Sequence, residues 1–264
     1  MRLSKHIRKL YWNLVLAKRE SVTVTFSNGM TLDSPSKNIS ARNTFLHGRK
    51  DPRIFRWMDK HIAKGATVID VGANVGAYAL YLAKLVGPLG KVIAVEPAST
   101  NLKFLKKNID ANHLSQVSVE SVALGAEEGE LVLSYCPENA GEHHISTAGE
   151  EASIQETVHV ERLDDLVKRY GNPDATFVKI DVEGFEHNVL LGFVETLRTQ
   201  SPTLLIEHAK AGSERYGAAR QETVDLMQSL GYRAYRLRRT GMSPYDWERG
   251  RGDAFWSKSP IALN

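Results

Sequence analysis

The stretch from Val68 to Gly76, VIDVGANVG, constrains the fold of this chain more than any other segment. An apolar run carries Asp70 at its end, a turn with two glycines follows, and an apolar helix-like segment comes next. Glycine lets other groups approach a backbone that a Cβ would shield. This order predicts a parallel sheet that binds a nucleotide-like ligand at the carboxyl ends of its strands.

A second apolar segment, Val92 to Val95, ends at the carboxylate of Glu96. If the two segments are neighbouring strands, Glu96 lies where the two hydroxyls of a ribose need an acceptor. The pair of strand ends therefore predicts a cofactor that contains adenosine.

The glycine turn leaves two cofactors to compare. A dinucleotide-binding turn reads G-x-G-x-x-G and presents backbone N–H groups to a pyrophosphate. Here Asn74 stands in place of the middle glycine, and Asp70 would repel a diphosphate. S-adenosylmethionine carries an ammonium, a sulfonium and a ribose but no phosphate, so the charges favour it over NAD. A nicotinamide oxidoreductase remains the alternative.

Strand-like and helix-like segments alternate through the rest of the chain. This alternation predicts an α/β, Rossmann-like fold with a mostly parallel sheet and right-handed crossovers. Strands are expected near 67–71, 91–95, 117–122, 176–180 and 203–207. Helices are expected near 76–86, 99–112, 184–196 and 220–230. An antiparallel pair, 232–237 with 253–256, should close the sheet, with a loop between its strands.

The expected domain organisation is an N-terminal arm, 1–53, and a main domain, 54–264, with an insertion at 124–172. In the arm, the alternation around Asn28-Gly29 predicts a β-hairpin. Residues 33–52 are expected to be irregular and to cover the ligand pocket. In the insertion, strands are expected at 129–136 and 157–160, on either side of an exposed loop at 137–153.

The first twenty residues place Ile7, Leu10 and Leu14 at helical spacing with basic residues between them. The simpler interpretation is a terminal helix packed on the domain. The alternative is a basic amphipathic helix that rests on an anionic membrane or a partner protein.

Composition narrows the class of protein. The 264 residues are 42% hydrophobic and 25% charged, which is ordinary for a globular protein, and the net charge of +3 does not favour nucleic-acid binding. The single cysteine, Cys136, excludes an intramolecular disulfide and suits a reducing compartment. No apolar run is long enough to span a membrane, and no signal-peptide pattern is present. We therefore expect a cytoplasmic protein.

Three segments resemble the FkbM-type S-adenosylmethionine-dependent methyltransferases. They are VIDVGANVGAYALYLAKLVGPLGKVIAVEPASTNLKFLKKNI at 68–109, VALG at 122–125 and FVKIDVEGFEHNVLLG at 177–192. The Asp-Val-Glu-Gly sequence at 181–184 is the more family-specific part. The resemblance implies a class I methyltransferase fold and methyl transfer to a hydroxyl of a sugar, a glycan or glycolipid, or a natural product.

By position, the resemblance also implies a set of cofactor contacts. These are Asp70, Gly72, Asn74, Gly76, Glu96, Ala123 and Asp181. Glu96 would hold the ribose, Ala123 would flank the adenine and Asp181 would lie near the methyl group. The family commonly has a Tyr-Glu-Pro-like stretch before the first strand, whereas this chain has Lys50-Asp51-Pro52.

A hydroxyl is a poor nucleophile at neutral pH, so its methylation needs a general base or a metal. Asp181 follows an apolar strand and would reach the pocket rim, although aspartate is also a favoured helix N-cap. Glu183 lies in the same turn and is a second candidate. Glu207 and His208 end the next strand with side chains on opposite faces. Of these two, His208 has the more suitable pKa for a base.

Other polar residues are weaker candidates. His143 and His144 could reach over the pocket from the insertion, but adjacent loop histidines are usually solvated. Glu186 is expected on the exposed first turn of a helix. Carboxylates at these strand ends could bind magnesium, but no metal site is predicted.

The leading hypothesis is a methyltransferase that acts on a hydroxyl of a small molecule or glycan. The alternatives are the oxidoreductase and a non-catalytic scaffold that recruits partners through its basic helix. Nucleic-acid methylation is a weaker variant, because the cluster Arg233–Arg239 has no aromatic-rich binding module beside it.

Overall fold

A computed structural model of the chain describes residues 4–135, 143–146, 154–207, 220–239, 241–247 and 252–261. The helices are α1 (Lys5–Leu14), α2 (Ile39–His47), α3 (Pro52–His61), α4 (Ala77–Val86), α5 (Ser99–Ala111), α6 (Leu163–Arg169), α7 (Glu186–Leu191), α8 (Val194–Thr199) and α9 (Arg220–Ser229). The strands are β1 (Ser21–Thr25), β2 (Thr31–Pro35), β3 (Thr67–Val71), β4 (Lys91–Val95), β5 (Val117–Glu120), β6 (Ala123–Leu124), β7 (Gly129–Ser134), β8 (His144–Ile145), β9 (Gln155–Glu161), β10 (Ala175–Ile180), β11 (Thr203–Ile206), β12 (Arg233–Arg238), β13 (Gly241–Pro244) and β14 (Ala254–Ser257).

Eight of the described strands form one sheet in the order β13-β12-β14-β11-β10-β3-β4-β5. The strands from β11 to β5 pair in parallel, and β14, β12 and β13 extend the sheet by antiparallel pairing. The prediction of a mostly parallel sheet with an antiparallel C-terminal pair is confirmed. β13 is an additional strand where a loop was expected. The chain runs from β3 outward to β5 and then continues on the other side of β3 with β10, so the strand order reverses beside β3.

Apolar side chains cover both faces of this sheet. Val68 of β3 belongs to one hydrophobic cluster, together with residues of α3, α4 and α5. Its neighbours Ile69 and Val71 belong to a second cluster, which includes residues of α6, α7, α8 and α9. Because successive side chains of a strand point to opposite faces, burial on both faces explains the nearly continuous apolar runs in the sequence.

The N-terminal arm packs into the same core as the main domain. The predicted β1–β2 hairpin is confirmed, and Val22 and Phe26 are buried in the cluster that contains Leu80 of α4. α1 packs on the domain as the simpler interpretation predicts, but through Trp12, whereas Ile7, Leu10 and Leu14 are exposed. The expected arm boundary after residue 53 falls inside α3.

Asn108 of α5 and Asn112, the residue that follows the helix, cover the outer edge of β2. Asn108 Oδ1 accepts a hydrogen bond from the N–H of Asp33 at 2.7 Å, and its Nδ2 donates to the carbonyl of Asp33 at 2.8 Å. One helical turn later, Asn112 makes the same pair of bonds with Thr31 at 3.0 and 2.8 Å. A strand edge otherwise leaves such groups unpaired, so these amides join the arm to the main domain.

The insertion folds as a second sheet, which has the order β6-β9-β7-β8 within the described residues. β7 and β9 pair antiparallel and confirm the two predicted strands. The loop expected at 137–153 contains β8, and its other residues lie mostly outside the described ranges.

The segment 33–52 is more regular than expected. β2 continues to Pro35, and α2 follows. Asn38 caps α2 by accepting from the N–H of Ser40 at 2.8 Å, and Gly48 ends it in the left-handed conformation at φ +73°. Polar residues that suggested a loop are therefore the caps of a helix.

The single helix predicted at 184–196 is wrong, because α7 and α8 are separate helices. Asp164 accepts hydrogen bonds from the N–H groups of Glu195 and Thr196, each at 2.9 Å, and so caps the start of α8. A Cβ on Gly192 would lie 2.0 Å from the carbonyl oxygen of Gly125. The break therefore depends on contacts with distant parts of the chain.

Candidate functional site

A cavity of about 380 Å³ lies at the carboxyl ends of β3, β4, β10 and β11. Its walls come from the glycine turn after β3, the small second sheet, the turn after β10 and the arm around α2. The volume is in the range of small-molecule sites. The cavity lies at the edge of the sheet where the sequence predicts a ligand, beside the reversal of strand order.

Gly72 and Gly76 have positive φ values of +72° and +97°. A Cβ on Gly72 would lie 1.8 Å from the carbonyl oxygen of Asp181, and one on Gly76 would lie 2.8 Å from Cδ1 of Leu105. The close neighbours of these glycines are protein atoms, and contact of either glycine with a cofactor stays a prediction. Gly72 also lines the cavity.

Hydrogen bonds join the ends of β3 and β4, the two strand ends that were expected to bind the cofactor together. Asn74, at φ +53°, donates its N–H to Oε2 of Glu96 at 2.8 Å, and Oε1 of Glu96 accepts from the N–H of Ala98 at 2.9 Å. Burial raises the pKa of Glu96, and these bonds oppose that shift. Asn38 of the arm donates to Oδ1 of Asn74 at 2.8 Å. Both Asn74 and Glu96 line the cavity.

Ala123 begins the second sheet and is also part of the cavity wall. It packs in one hydrophobic cluster with Leu133 and Ile145, which also line the cavity. This part of the wall is apolar.

Asp70 is fully buried and faces Lys179, an interaction that the sequence analysis missed. Lys179 Nζ lies 3.3 Å from Oδ1 of Asp70 and donates to the carbonyl of Gly72 at 2.9 Å. Burial raises the pKa of Asp70, while Lys179 opposes the shift. Lys179 lines the cavity and Asp70 lies behind it, so direct contact of Asp70 with a cofactor ammonium stays a prediction. The sequence feature that could have indicated this ion pair is Lys179 itself, a lysine within the apolar strand β10.

Asp181 and Glu207 follow β10 and β11 at adjacent positions, because Ile180 pairs with Ile206 in the parallel register. Both line the cavity, and their side chains share a hydrogen bond. The sequence marks both residues as strand-end carboxyl groups but does not show that they pair.

Buried Lys179 and the partly buried Lys50 fix the charge of this carboxyl pair. Oδ2 of Asp181 lies 3.1 Å from Lys179 Nζ and 3.5 Å from Lys50 Nζ. Burial opposes ionisation of Asp181, but the two ammonium groups outweigh it and hold its pKa below the usual range. The charge of Asp181, together with burial, raises the pKa of Glu207 to about 10. At neutral pH the pair therefore holds one proton, on Glu207.

Four more residues complete the polar part of the cavity wall: Lys50, Asp51, Tyr78 and Asp253. The Tyr78 hydroxyl donates to Oδ2 of Asp51 at 2.9 Å, and Lys50 Nζ lies 4.9 Å from the centre of the Tyr78 ring. Burial, together with Asp51, raises the pKa of Asp253 to about 6. In the sequence, Lys50 and Asp51 were noted only as a departure from a family pattern. Nothing in the sequence singles out Tyr78 or Asp253, because only the packing of the folded chain brings them to the cavity.

The other predicted residues have different positions. Glu183, at φ +53°, lines the cavity, as do His143 and His144. His208 lies outside the described residues. The described ranges contain no group of three His, Cys, Asp or Glu side chains placed to hold a metal ion. The absence of a metal stays a prediction.

Glu186 is buried, which corrects its expected place on an exposed helical turn. Its side chain is only 6% exposed, and Oε1 accepts from the N–H groups of Val182 and Gly184 at 3.2 and 3.0 Å. Burial raises its pKa to about 7. Glu186 thus holds the turn that carries Asp181 and Glu183.

The sequence profile of the Methyltransferase FkbM domain matches residues 70–234, more than half of the chain. The chain belongs to the FkbM methyltransferase family. Membership confirms the resemblance seen in the sequence and disfavours the oxidoreductase alternative. The matched segment of this FkbM chain contains the glycine turn, Glu96 and the turn after β10. Its sheet is the Rossmann-like, class I methyltransferase sheet that the resemblance implied.

Relatives of this FkbM chain include Methyltransferase 1 of Beauveria bassiana, 29% identical over 143 residues that cover 47% of this chain and 57% of that protein. The hexuronic acid methyltransferase AglP of Haloferax volcanii is 27% identical over 165 residues, covering 62% and 64%. The crystal structure of a Methyltransferase FkbM from Methylobacillus flagellatus KT has a TM-score of 0.47 at 17% identity, covering 95% of this chain and 59% of that one. The match thus spans less than two thirds of either curated relative.

Proposed function

We propose that this FkbM protein transfers a methyl group from S-adenosylmethionine to a hydroxyl of a sugar, a glycan or a natural product. The observation that supports this most is one cavity with Glu96 on β4 and the Asp181–Glu207 pair on β10 and β11. β3 and β10 separate β4 from β11, so three strand spacings put Glu96 and Glu207 on the order of 14 Å apart. An extended cofactor and an acceptor fit such a span. The family and a relative named for hexuronic acid methylation support the transfer and the acceptor class.

The charges in and beneath the cavity suit a cationic cofactor. Carboxyl groups outnumber the ammonium groups of Lys50 and Lys179, the two lysines of the lining. When bound, S-adenosylmethionine supplies an electrophilic methyl group on a sulfonium. In this proposal Glu96 accepts from the ribose hydroxyls and Ala123 lies beside the adenine. The remaining proposed contacts are Asp70, Gly72, Asn74, Gly76 and, near the methyl group, Asp181.

The carboxyl pair provides a place for the acceptor proton. Methyl transfer forms a C–O bond to the acceptor oxygen and breaks the C–S bond, whose electron pair remains on sulfur. The hydroxyl proton passes to Asp181, which is ionised while Glu207 is protonated. Because two lysines lower the basicity of Asp181, it first orients the hydroxyl and accepts the proton late in the reaction. Glu183 and His208 are the alternative bases.

Calorimetric titration with S-adenosylhomocysteine and with NAD tests the cofactor. We expect binding of S-adenosylhomocysteine only. Glu96→Gln should weaken it roughly 10- to 100-fold, since hydrogen bonds to a charged acceptor are lost. Glu120→Gln is the matched control, because Glu120 ends the next strand, β5, and pairs with Arg169 instead of lining the cavity. Tighter binding of NAD, or unchanged binding by Glu96→Gln, would overturn the assignment.

Labelled-methyl transfer to a panel of sugars and glycans, including hexuronic acids, tests the acceptor. Methylation of a hydroxyl gives an ether that survives mild alkali, whereas methylation of a uronic carboxylate gives an ester that is hydrolysed. We expect the alkali-stable product. An alkali-labile or nitrogen-linked label would refute hydroxyl specificity while leaving methyl transfer itself intact.

A further inference from the structure

α1 carries a row of apolar side chains that the described part of the chain leaves uncovered. Ile7, Leu10 and Leu14 are 50%, 59% and 56% exposed, and Tyr11 beside them is 44% exposed. Their spacing puts them on one face of the helix. We call these four residues the α1 stripe. Single exposed apolar residues are ordinary, but a contiguous group marks an interaction surface.

Trp12, more than the α1 stripe, holds the helix on the protein, although the ring of Tyr11 also lies 6.3 Å from the ring of Phe45 in α2. Trp12, on another face, is buried and its ring lies 5.5 Å from the ring of Phe45 in α2. The Arg8 guanidinium lies 5.0 Å from the centre of the same ring. Ser4 caps the helix by accepting from the N–H of Ile7. The helix is thus fixed in place with its apolar row facing outward.

The charge of the first nineteen residues indicates what kind of surface covers the α1 stripe. Lysine and arginine occur six times in the first nineteen residues, and no acidic residue precedes Glu20. The whole chain has a net charge of only +3, so positive charge is concentrated here. A second copy of the same helix would bring like charges together, whereas an anionic surface is complementary.

We propose that α1 docks this protein on the surface of an anionic phospholipid bilayer. The α1 stripe enters the headgroup boundary, and basic side chains such as Lys5 and Lys9 meet lipid phosphates. Within the described ranges, no helix has both the length and the apolar character to cross a bilayer, so the contact is with the surface. A single short helix gives weak, reversible and salt-sensitive attachment.

Docking also places the cavity near the membrane. α1 packs on α2, and Ile39, Ser40 and Asn43 of α2 line the cavity. Ile39 is itself 55% exposed. Among the described elements, only α2 therefore separates the attached helix from the cavity.

Co-sedimentation of the full chain with vesicles tests the proposal. We expect binding to vesicles of phosphatidylcholine with phosphatidylglycerol, little binding to phosphatidylcholine alone, and release by salt. The double variant Leu10→Gln, Leu14→Gln should lose about tenfold or more in partitioning, because two apolar side chains are removed from a helix that still forms. Leu89→Gln is the matched control, since Leu89 is 92% exposed in the turn between α4 and β4, and should bind as the wild type does.

Three results would overturn the proposal. One is equal binding to charged and uncharged vesicles, and another is an equal loss in the control variant. The third is light scattering that shows a dimer which only the double variant dissociates, with no vesicle binding, since the α1 stripe would then be a contact between copies. Because the substituted residues are exposed, unchanged S-adenosylhomocysteine binding serves to check that each variant is folded.

Discussion

Gly72 is where the turn after β3 comes closest to the turn after β10. Gly72→Ala would put a Cβ 1.8 Å from the carbonyl oxygen of Asp181, at φ +72°. We expect a loss of about 3 kcal/mol or more in the free energy of unfolding, measured with urea. Gly65→Ala shares the positive φ, +78°, but has no atom within 4 Å of the added Cβ, and should cost about 1 kcal/mol. Equal losses would show that the close approach is not what requires glycine.

The carboxyl pair gives a kinetic prediction. Asp181→Asn should lower kcat/KM for methyl transfer by about 10²- to 10⁴-fold, because the ionised acceptor of the hydroxyl proton is lost. Glu207→Gln should cost less than about tenfold, since an amide can replace a protonated carboxyl as a donor. Binding of S-adenosylhomocysteine should change little in either variant, because this ligand lacks the methyl group near which Asp181 is proposed to lie. Wild-type activity in Asp181→Asn would move the role of base to Glu183 or His208.

At this scale the sequence located candidate groups but not their partners. Glu96, Asp181 and Glu207 stand out because each follows an apolar strand. Lys179 and Asp253 did not, because their importance depends on which strands become neighbours. The pairing of Asp70 with Lys179 follows from the register of β3 against β10, which a single sequence does not display.

At the scale of elements, Asn108 and Asn112 form an asparagine ladder along β2, which can be tested by removing each amide in turn. Asn108→Leu would leave main-chain groups of Asp33 and Val75 unpaired at a site where Asn108 is 1% exposed. We expect a loss of about 3 kcal/mol in the free energy of unfolding. Asn112→Leu should cost about 1 kcal/mol, because water can replace its bonds at the more open end of the ladder. A larger loss in the free energy of unfolding for Asn112→Leu than for Asn108→Leu would contradict this prediction.

The strand and helix pattern was predictable where one element packs in an ordinary way. β3, β4, α4 and α5 follow apolar periodicity and a glycine turn, and the structure confirms them. The division between α7 and α8 was not predictable, because its cap, Asp164, lies about thirty residues earlier in the chain. α2 was missed for a related reason: its two ends are polar, and so are Ser40 and Thr44, two of its four buried residues.

At the scale of the whole molecule, Glu186 couples stability to pH. The folded protein raises its pKa from 4.5 to about 7, so the folded state holds this proton more tightly than the unfolded state does. The contribution of Glu186 to the free energy of unfolding is therefore greatest below about pH 4.5 and is lost as the pH rises through 7. Glu186→Gln cannot titrate, so the difference between wild type and variant should change by about 3 kcal/mol across this interval. Urea denaturation at several pH values measures it, and parallel profiles would disprove the coupling.

The cavity draws on more of the molecule than the segment that defines the family. The family match covers 70–234, yet Asn38, Lys50 and Asp51 before it and Asp253 after it all line the cavity. Strand ends inside the match carry Glu96 and Asp181, whereas the arm and the approach to β14 supply much of the polar wall around Glu207. The sequence therefore predicted the fold of the central segment, but it did not predict which residues form the polar wall of the cavity.

This division of the wall bears on how the protein can diversify. Grafting other segments in place of those that flank the family match would change the polar wall of the cavity around Glu207. Such chimaeras would accept different acceptor molecules, provided that the grafted segment supplies a residue that hydrogen-bonds to Asn74 as Asn38 does.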